Sequence, residues 1–152
     1  MFLTALLLAQ TLVVEPTSSM IPPIQHNMVV STDWLKKHLQ DPQVIVLHVS
    51  QDSKQFVQGH IPGARFLSWS QVATTRKGIA NELPPLNELV DSLRKLGVTE
   101  KHRLVLYDEG AGLQAARAYV ALDYLGMGQQ AALLNGHWKI WQAEKRPIGK
   151  EI

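Results

Sequence analysis

Two adjacent carboxylates, Asp108 and Glu109, follow the apolar run Leu104 to Tyr107 and directly precede Gly110, Ala111, Gly112, Leu113, Gln114 and Ala115. A carboxylate at a strand end can act as a nucleophile and form an acyl phosphate. That chemistry needs Mg²⁺ held by further acidic ligands, and only Glu109 lies near in the sequence. The expected task of Asp108 is therefore to accept hydrogen bonds from loop amides or to cap the helix that follows. Gly110, Gly112 and Ala115 also match the dinucleotide fingerprint G-x-G-x-x-G/A. The context opposes that reading. The triplet Tyr107, Asp108 and Glu109 intervenes, the next apolar run ends in Asn135 and Gly136 instead of an acidic residue, and a carboxylate repels pyrophosphate. No dinucleotide or other cofactor is expected.

The six histidines, His26, His38, His48, His60, His102 and His137, contain no pair at metal-ligand spacing, so no metal site is expected. His60 and His137 lie in glycine-containing loops, where an imidazole ordinarily bonds a backbone carbonyl. His102 is expected on a surface turn. No G-x-S-x-G turn follows any apolar run, so no serine nucleophile is expected. The 152 residues include no cysteine, which removes disulfides, thiolate metal sites and every thiol-dependent reaction from this polypeptide. Fifteen Lys and Arg against thirteen Asp and Glu leave a formal charge of +2, with no basic run to follow a phosphate backbone or an anionic bilayer. Nucleic acid and membrane surfaces are accordingly not expected as partners.

The elements that must position these residues alternate between short apolar runs and helical patterns, which argues for α/β architecture with a parallel sheet. Residues 28 to 31 form a short first strand, and Ser31 or Thr32 caps a helix whose Trp34, Leu35 and Leu39 share one face. Val44 to Val49 is a β-branched run suited to burial on both faces. A short polar helix ending at Gly59, a turn at Pro62 and Gly63, and a strand from Arg65 to Trp69 follow. Residues 70 to 85 show no period and are expected to form a long surface loop. Leu86, Leu89, Val90, Leu93 and Leu96 recur at helical spacing, with Gly97 as the stop. Arg103 to Tyr107 is another buried strand, and the helix from Leu113 is apolar nearly all round except at Gln114, Arg117 and Asp123. Gln130 to Leu134 is the last strand, leading into a short helix with Trp138 and Trp141 one turn apart.

Residues 1–19 differ from the rest. The apolar stretch Phe2 to Val14 is too short to span a bilayer as a helix, which takes about 20 residues, and suits a secretory signal. No Lys or Arg precedes it. Export to the periplasm or medium is the expectation from this leader. Translation from Met20 or Met28 would instead leave a cytoplasmic protein. Residues 20–27 read as linker and residues 28–146 as one domain, with residues 147–152 a tail or the start of an interdomain linker.

The segment Gly59, His60, Ile61, Pro62, Gly63 and Ala64, placed after a strand and a short polar helix, resembles a hallmark of rhodanese-like sulfurtransferase domains. The order of strand Arg103 to Tyr107, tight loop and alanine-rich helix with Arg117 fits the same family. The front helix and the loop around Glu82 to Pro85 are most similar to the first half of a two-domain thiosulfate or mercaptopyruvate sulfurtransferase. The resemblance implies a central, mostly parallel five-stranded sheet with helices on both faces. It also implies that the loop from Asp108 to Leu113 corresponds to the family's active-site loop, whose cysteine position is held here by Asp108.

On that resemblance no residue of this chain is catalytic, because a carboxylate cannot accept and release sulfane sulfur. Where the family's second strand often ends in Asp, an apolar residue and Arg, this chain has His48, Val49 and Ser50. The resemblance further implies a partner: a catalytic rhodanese domain, as a C-terminal copy or a separate chain, with Trp138, Trp141 and Gly110 to Gly112 as contact candidates. Two alternatives remain at this point, a stand-alone binding module that uses the altered loop for recognition and an orphaned fragment of an interrupted gene.

Overall fold

The computed structural model describes residues 28–150; the leader and the linker expected before residue 28 lie outside the described residues. In chain order the elements are β1 (Val29–Val30), α1 (Thr32–His38), β2 (Val44–Ser50), α2 (Lys54–Gln58), β3 (Arg65–Ser68), β4 (Thr74–Arg76), β5 (Ile79–Glu82), α3 (Leu86–Lys95), β6 (Arg103–Tyr107), α4 (Leu113–Tyr124), β7 (Ala131–Leu134) and α5 (His137–Ala143). Five strands form one sheet in the order β1-β7-β6-β2-β3, every pairing parallel.

Strand alternation sends successive side chains to opposite faces, and each face is covered. Ile45, Leu47 and Val49 of β2 and Leu104 and Leu106 of β6 pack in one core with Leu89 and Leu93 of α3 and Ala115, Ala118, Ala121 and Leu122 of α4. The small alanines let α4 lie close over the middle of the sheet. Val46, Val105, Tyr107, Ala132 and Leu134 face the other way, against Leu35, Phe56, Ile61, Trp138 and Trp141. Each fully buried Leu or Ile contributes about 1.5–3 kcal/mol through removal of apolar surface from water.

Ser31 is the residue that caps α1, its hydroxyl accepting the Trp34 N–H at 3.1 Å. Gly97 ends α3 with a left-handed φ of 65°. Within α3 the inward positions are Leu89 and Leu93; Leu86, in the first turn, which the spacing also placed on that face, is exposed.

The expected long loop over residues 70 to 85 is replaced by a 3₁₀ turn at Trp69–Gln71 and the antiparallel hairpin β4-β5. The strand expected to reach Trp69 ends at Ser68, where a capping box between Ser68 and Gln71 starts that turn. Lys77 and Gly78, with φ of 52° and 79°, form the tight turn between the hairpin strands, and Arg76 pairs with Glu82 at 3.0 Å. Arg117 of α4 fastens the hairpin to the domain: its Nε donates to the Val72 carbonyl at 3.2 Å and its Nη2 to that of Asn81. The hairpin is short and polar, so its period was invisible beside the stronger patterns around it.

Candidate functional site

The carboxyl ends of β2, β6 and β7 lie side by side, and the segments that leave them converge. β6 delivers Asp108, 2% exposed, into a loop that folds back around its side chain. Oδ1 accepts the N–H groups of Gly110 and Gly112, each at 3.0 Å. Oδ2 accepts those of Gln114 at 2.9 Å and Ala115 at 3.2 Å, in the first turn of α4. Four backbone donors and a helix N-terminus thus converge on one carboxylate, an arrangement that holds a negative charge without any cation. Hydrogen bonds to a charged group are worth about 1.5–3 kcal/mol each.

The loop depends on Gly112. Its φ of 94° is left-handed, and a Cβ there would sit 2.4 Å from His137 Nε2. From the β7 side, the His137 imidazole stands beside the loop: Asp108 N–H points at Nδ1 over 3.4 Å, and Nδ1 lies 3.8 Å from Oδ1. The Trp138 amide donates to the Asp108 carbonyl at 3.0 Å. His137 therefore does not bond a backbone carbonyl as its loop position suggested; it faces the carboxylate instead, because Gly112 leaves room for the ring.

Glu109, next in sequence, turns the other way. Its Oε1 lies 2.9 Å from Nε2 of His48, which is buried at 1% exposure, with the Glu109 side chain at 15%. The imidazole N–H is not aligned on that oxygen, so both ring nitrogens of His48 and Oε1 of Glu109 lack a properly directed hydrogen-bond partner. Burial pushes the Glu109 carboxyl up, but the His48 ring, its own backbone and the Ser50 hydroxyl outweigh this and hold it below the ordinary carboxylate range. Tyr107 stacks on His48 at 4.6 Å, with Phe56 and Phe66 at the other sides of the ring. This pair escaped the sequence reading. Its signal was a lone His within a β-branched run whose register neighbour, Tyr107, immediately precedes the acidic pair.

The segment from Gly59 to Ala64 builds the wall beneath. Gly59 ends α2, and a Cβ on it would approach Ile148 Cγ2 to 2.9 Å. His60 Nδ1 donates to the Phe56 carbonyl at 2.7 Å, as a loop histidine is expected to do, and its ring stacks on Phe56 at 3.9 Å. Its backbone exchanges two bonds with Gly149, so the chain after α5 returns to this wall. The Ile61 N–H donates to the Tyr107 hydroxyl at 3.1 Å, and burial pushes that phenol well above its ordinary range. Pro62 and Gly63, the latter at φ 74°, make the turn, which the Ala64 N–H closes by donating to the Ile61 carbonyl.

Of the proposed contact residues, Trp141 is fully buried, its Nε1 donating to the Pro147 carbonyl at 2.7 Å, so it offers no outward surface. Trp138 is buried at 8% exposure and lines a cleft beside Glu109. Gly110 and Ala111 are exposed, and Leu113 at the start of α4 is 77% exposed. Among the described residues no group of three or more His, Asp or Glu is gathered for a metal ion, and no helix is long and apolar enough to cross a membrane.

Residues 31–144 match the family model described as the rhodanese-like domain. The sulfur carrier protein TtuD of Thermus thermophilus is 34% identical over 128 residues, which cover 82% of this chain and 43% of that protein. The 3-mercaptopyruvate sulfurtransferase of Escherichia coli K12 is 28% identical over 124 residues, 76% of this chain and 44% of the enzyme. The solved structure of SseA from Escherichia coli, described as a 3-mercaptopyruvate sulfotransferase with the "Rhodanese" fold, superposes with a TM-score of 0.74 at 26% identity, covering 82% of this chain and 51% of that one. The chain thus spans about half the length of the curated relatives it matches.

Proposed function

We propose a function from one premise: this chain belongs to the rhodanese-like domain family. Its role in that family is that of a non-catalytic half of a thiosulfate or mercaptopyruvate sulfurtransferase, which packs against a catalytic rhodanese domain supplied as a C-terminal copy or by a separate chain. The observation that carries this reading is Asp108 inside its ring of four amides. Donors of that kind lower the pKa of a thiol and stabilise a persulfide. Here they surround a carboxylate whose oxygens each already accept two hydrogen bonds, and the chain has no cysteine to take its place.

Sulfane transfer needs a polarisable nucleophile that forms an S–S bond to the donor's sulfur and later yields that sulfur to a thiophile. A carboxylate forms no such bond. The relatives' doubled length supports a second domain as the place for the reactive thiol. Exposed apolar side chains at the carboxyl end of the sheet, Leu113, Ile140 and Ile148, suit a face that meets another protein domain.

The test is a sulfurtransferase assay on the purified chain, with thiosulfate or mercaptopyruvate as donor and cyanide as acceptor. No turnover above the protein-free blank is expected. Turnover by the wild-type chain alone would overturn the reading.

A further inference from the structure

β7 runs out into Asn135 and Gly136, directly before His137 and Trp138 meet the Asp108 loop. The Asn135 side chain is exposed and makes no hydrogen bond among the described residues, while its backbone N–H donates to the Val30 carbonyl at 2.8 Å. The Gly136 N–H donates no hydrogen bond among the described residues either, and its φ of 76° is left-handed. A glycine carries no side chain to shield that nitrogen. None can be added here, because a Cβ on Gly136 would stand 2.1 Å from Ile140 Cγ1. Asn81 and Asn87 are placed differently: each precedes a glutamate, and they lie within β5 and α3.

We propose that Asn135 is a site of spontaneous modification by water, which converts it to aspartate and isoaspartate. The Gly136 nitrogen, losing its proton to solvent base, forms a bond to the side-chain carbonyl carbon of Asn135. The C–NH2 bond breaks, and ammonia leaves with a proton from water. Water then opens the resulting five-membered imide at either carbonyl: attack at the side-chain carbon gives aspartate, and attack at the backbone carbon gives isoaspartate. One amide is lost, one carboxylate is gained, and no oxidant or reductant takes part. Both products bear on the candidate site. Each places a new negative charge close in the chain to His137, whose ring faces Asp108. Isoaspartate also routes the backbone through an extra carbon just before Trp138, whose amide donates to the Asp108 carbonyl at 3.0 Å. The inference goes beyond the docking role and does not depend on it, because the labile pair is exposed in this chain alone.

The experiment is incubation of the folded full-length chain in heavy-oxygen water at mildly alkaline pH, with peptide mapping over time. The tryptic peptide from Ala118 to Lys139 is expected to exchange one NH2 for a heavy-oxygen OH and to split into two chromatographic forms, with fragment ions placing the change at Asn135. The rate is expected to exceed that at Asn81 and Asn87 by about tenfold or more and to rise with pH. Asn135→Gln, which must close a larger ring, is expected to slow the exchange by a similar factor; its side chain is exposed, so the variant folds as the wild type does. NMR spectra of the aged chain are expected to shift at Gly110, Gly112 and His137. Equal rates at the three asparagines, exchange at Asn135 only in denaturant, or an undiminished exchange in Asn135→Gln would overturn the proposal. Shifts confined to Asn135 and Gly136 would overturn its reach to the cradle.

Discussion

Asp108 and Glu109 are neighbours in the chain, carry the same functional group and live in opposite circumstances. Asp108 is enclosed by four backbone donors and accepts all of them. Glu109 leans instead on the buried His48 imidazole, the Ser50 hydroxyl and its own backbone amide. One carboxylate has become part of the backbone's own hydrogen-bonding scheme, while the other is held mainly by side chains of the neighbouring strand. The comparison separates two meanings of a buried charge: one closed by backbone amides holds a loop in shape, and one propped by side chains of β2 ties that loop to the neighbouring strand.

The strongest way to break the contrast is Asp108→Ala. It leaves four inward amides without an acceptor, and a loss of about 3–5 kcal/mol in denaturant unfolding is expected, from about 1–3 kcal/mol for each unsatisfied buried group with partial relaxation. A loss below about 1 kcal/mol would show that the cradle does not need an anion. Gly112→Ala attacks the same loop through its backbone, by a left-handed φ and a collision with His137. A cost of about 2 kcal/mol is expected, with loss of the His137 ring position visible in its NMR resonances.

Glu109→Gln should cost less, about 1 kcal/mol at neutral pH, because the amide keeps an acceptor oxygen for the neighbours that the carboxylate leans on. Its signature is in the pH dependence. The folded Glu109 carboxyl titrates below its ordinary value of 4.5, so its contribution is fully present above that pH and is lost as pH falls below it. The wild-type chain should lose stability through that acid window more steeply than Glu109→Gln, and parallel curves would contradict the assigned pairing. The smallest effect belongs to Arg76→Ala in the hairpin, whose exposed pair with Glu82 is worth about 0.5 kcal/mol or less.

Asp108→Cys sharpens the comparison in a different way. It restores the missing atom to the cradle but leaves no basic side chain in the loop from Asp108 to Gln114. Slight sulfurtransferase activity at most is expected, since nothing in that loop offers an anionic donor a countercharge. Robust activity would show that the surrounding pocket accepts anions as it stands.

The parallel sheet was legible in the sequence because its strands are continuous apolar runs and its helices keep a clear period, as Val44 to Val49 and Leu89 to Leu93 illustrate. The role of Asp108 as an acceptor for loop amides was legible too, from glycines placed directly after a strand-end carboxylate. The hairpin over residues 74 to 82 was not, since short polar strands carry neither hydrophobic period nor burial. Nor was the pairing of His48 with Glu109. It arises because β2 and β6 run side by side in register and Glu109 folds back across the gap, a relation between residues 61 positions apart that local spacing does not encode. His137 misled for a similar reason: its partner is a tertiary neighbour across Gly112.

The central claim is that this polypeptide holds an anion where its family handles sulfur. Its most direct test is intact-mass spectrometry of the purified chain after incubation with thiosulfate or mercaptopyruvate. An unchanged mass is the predicted result; a species heavier by one sulfur atom that cyanide removes would contradict it.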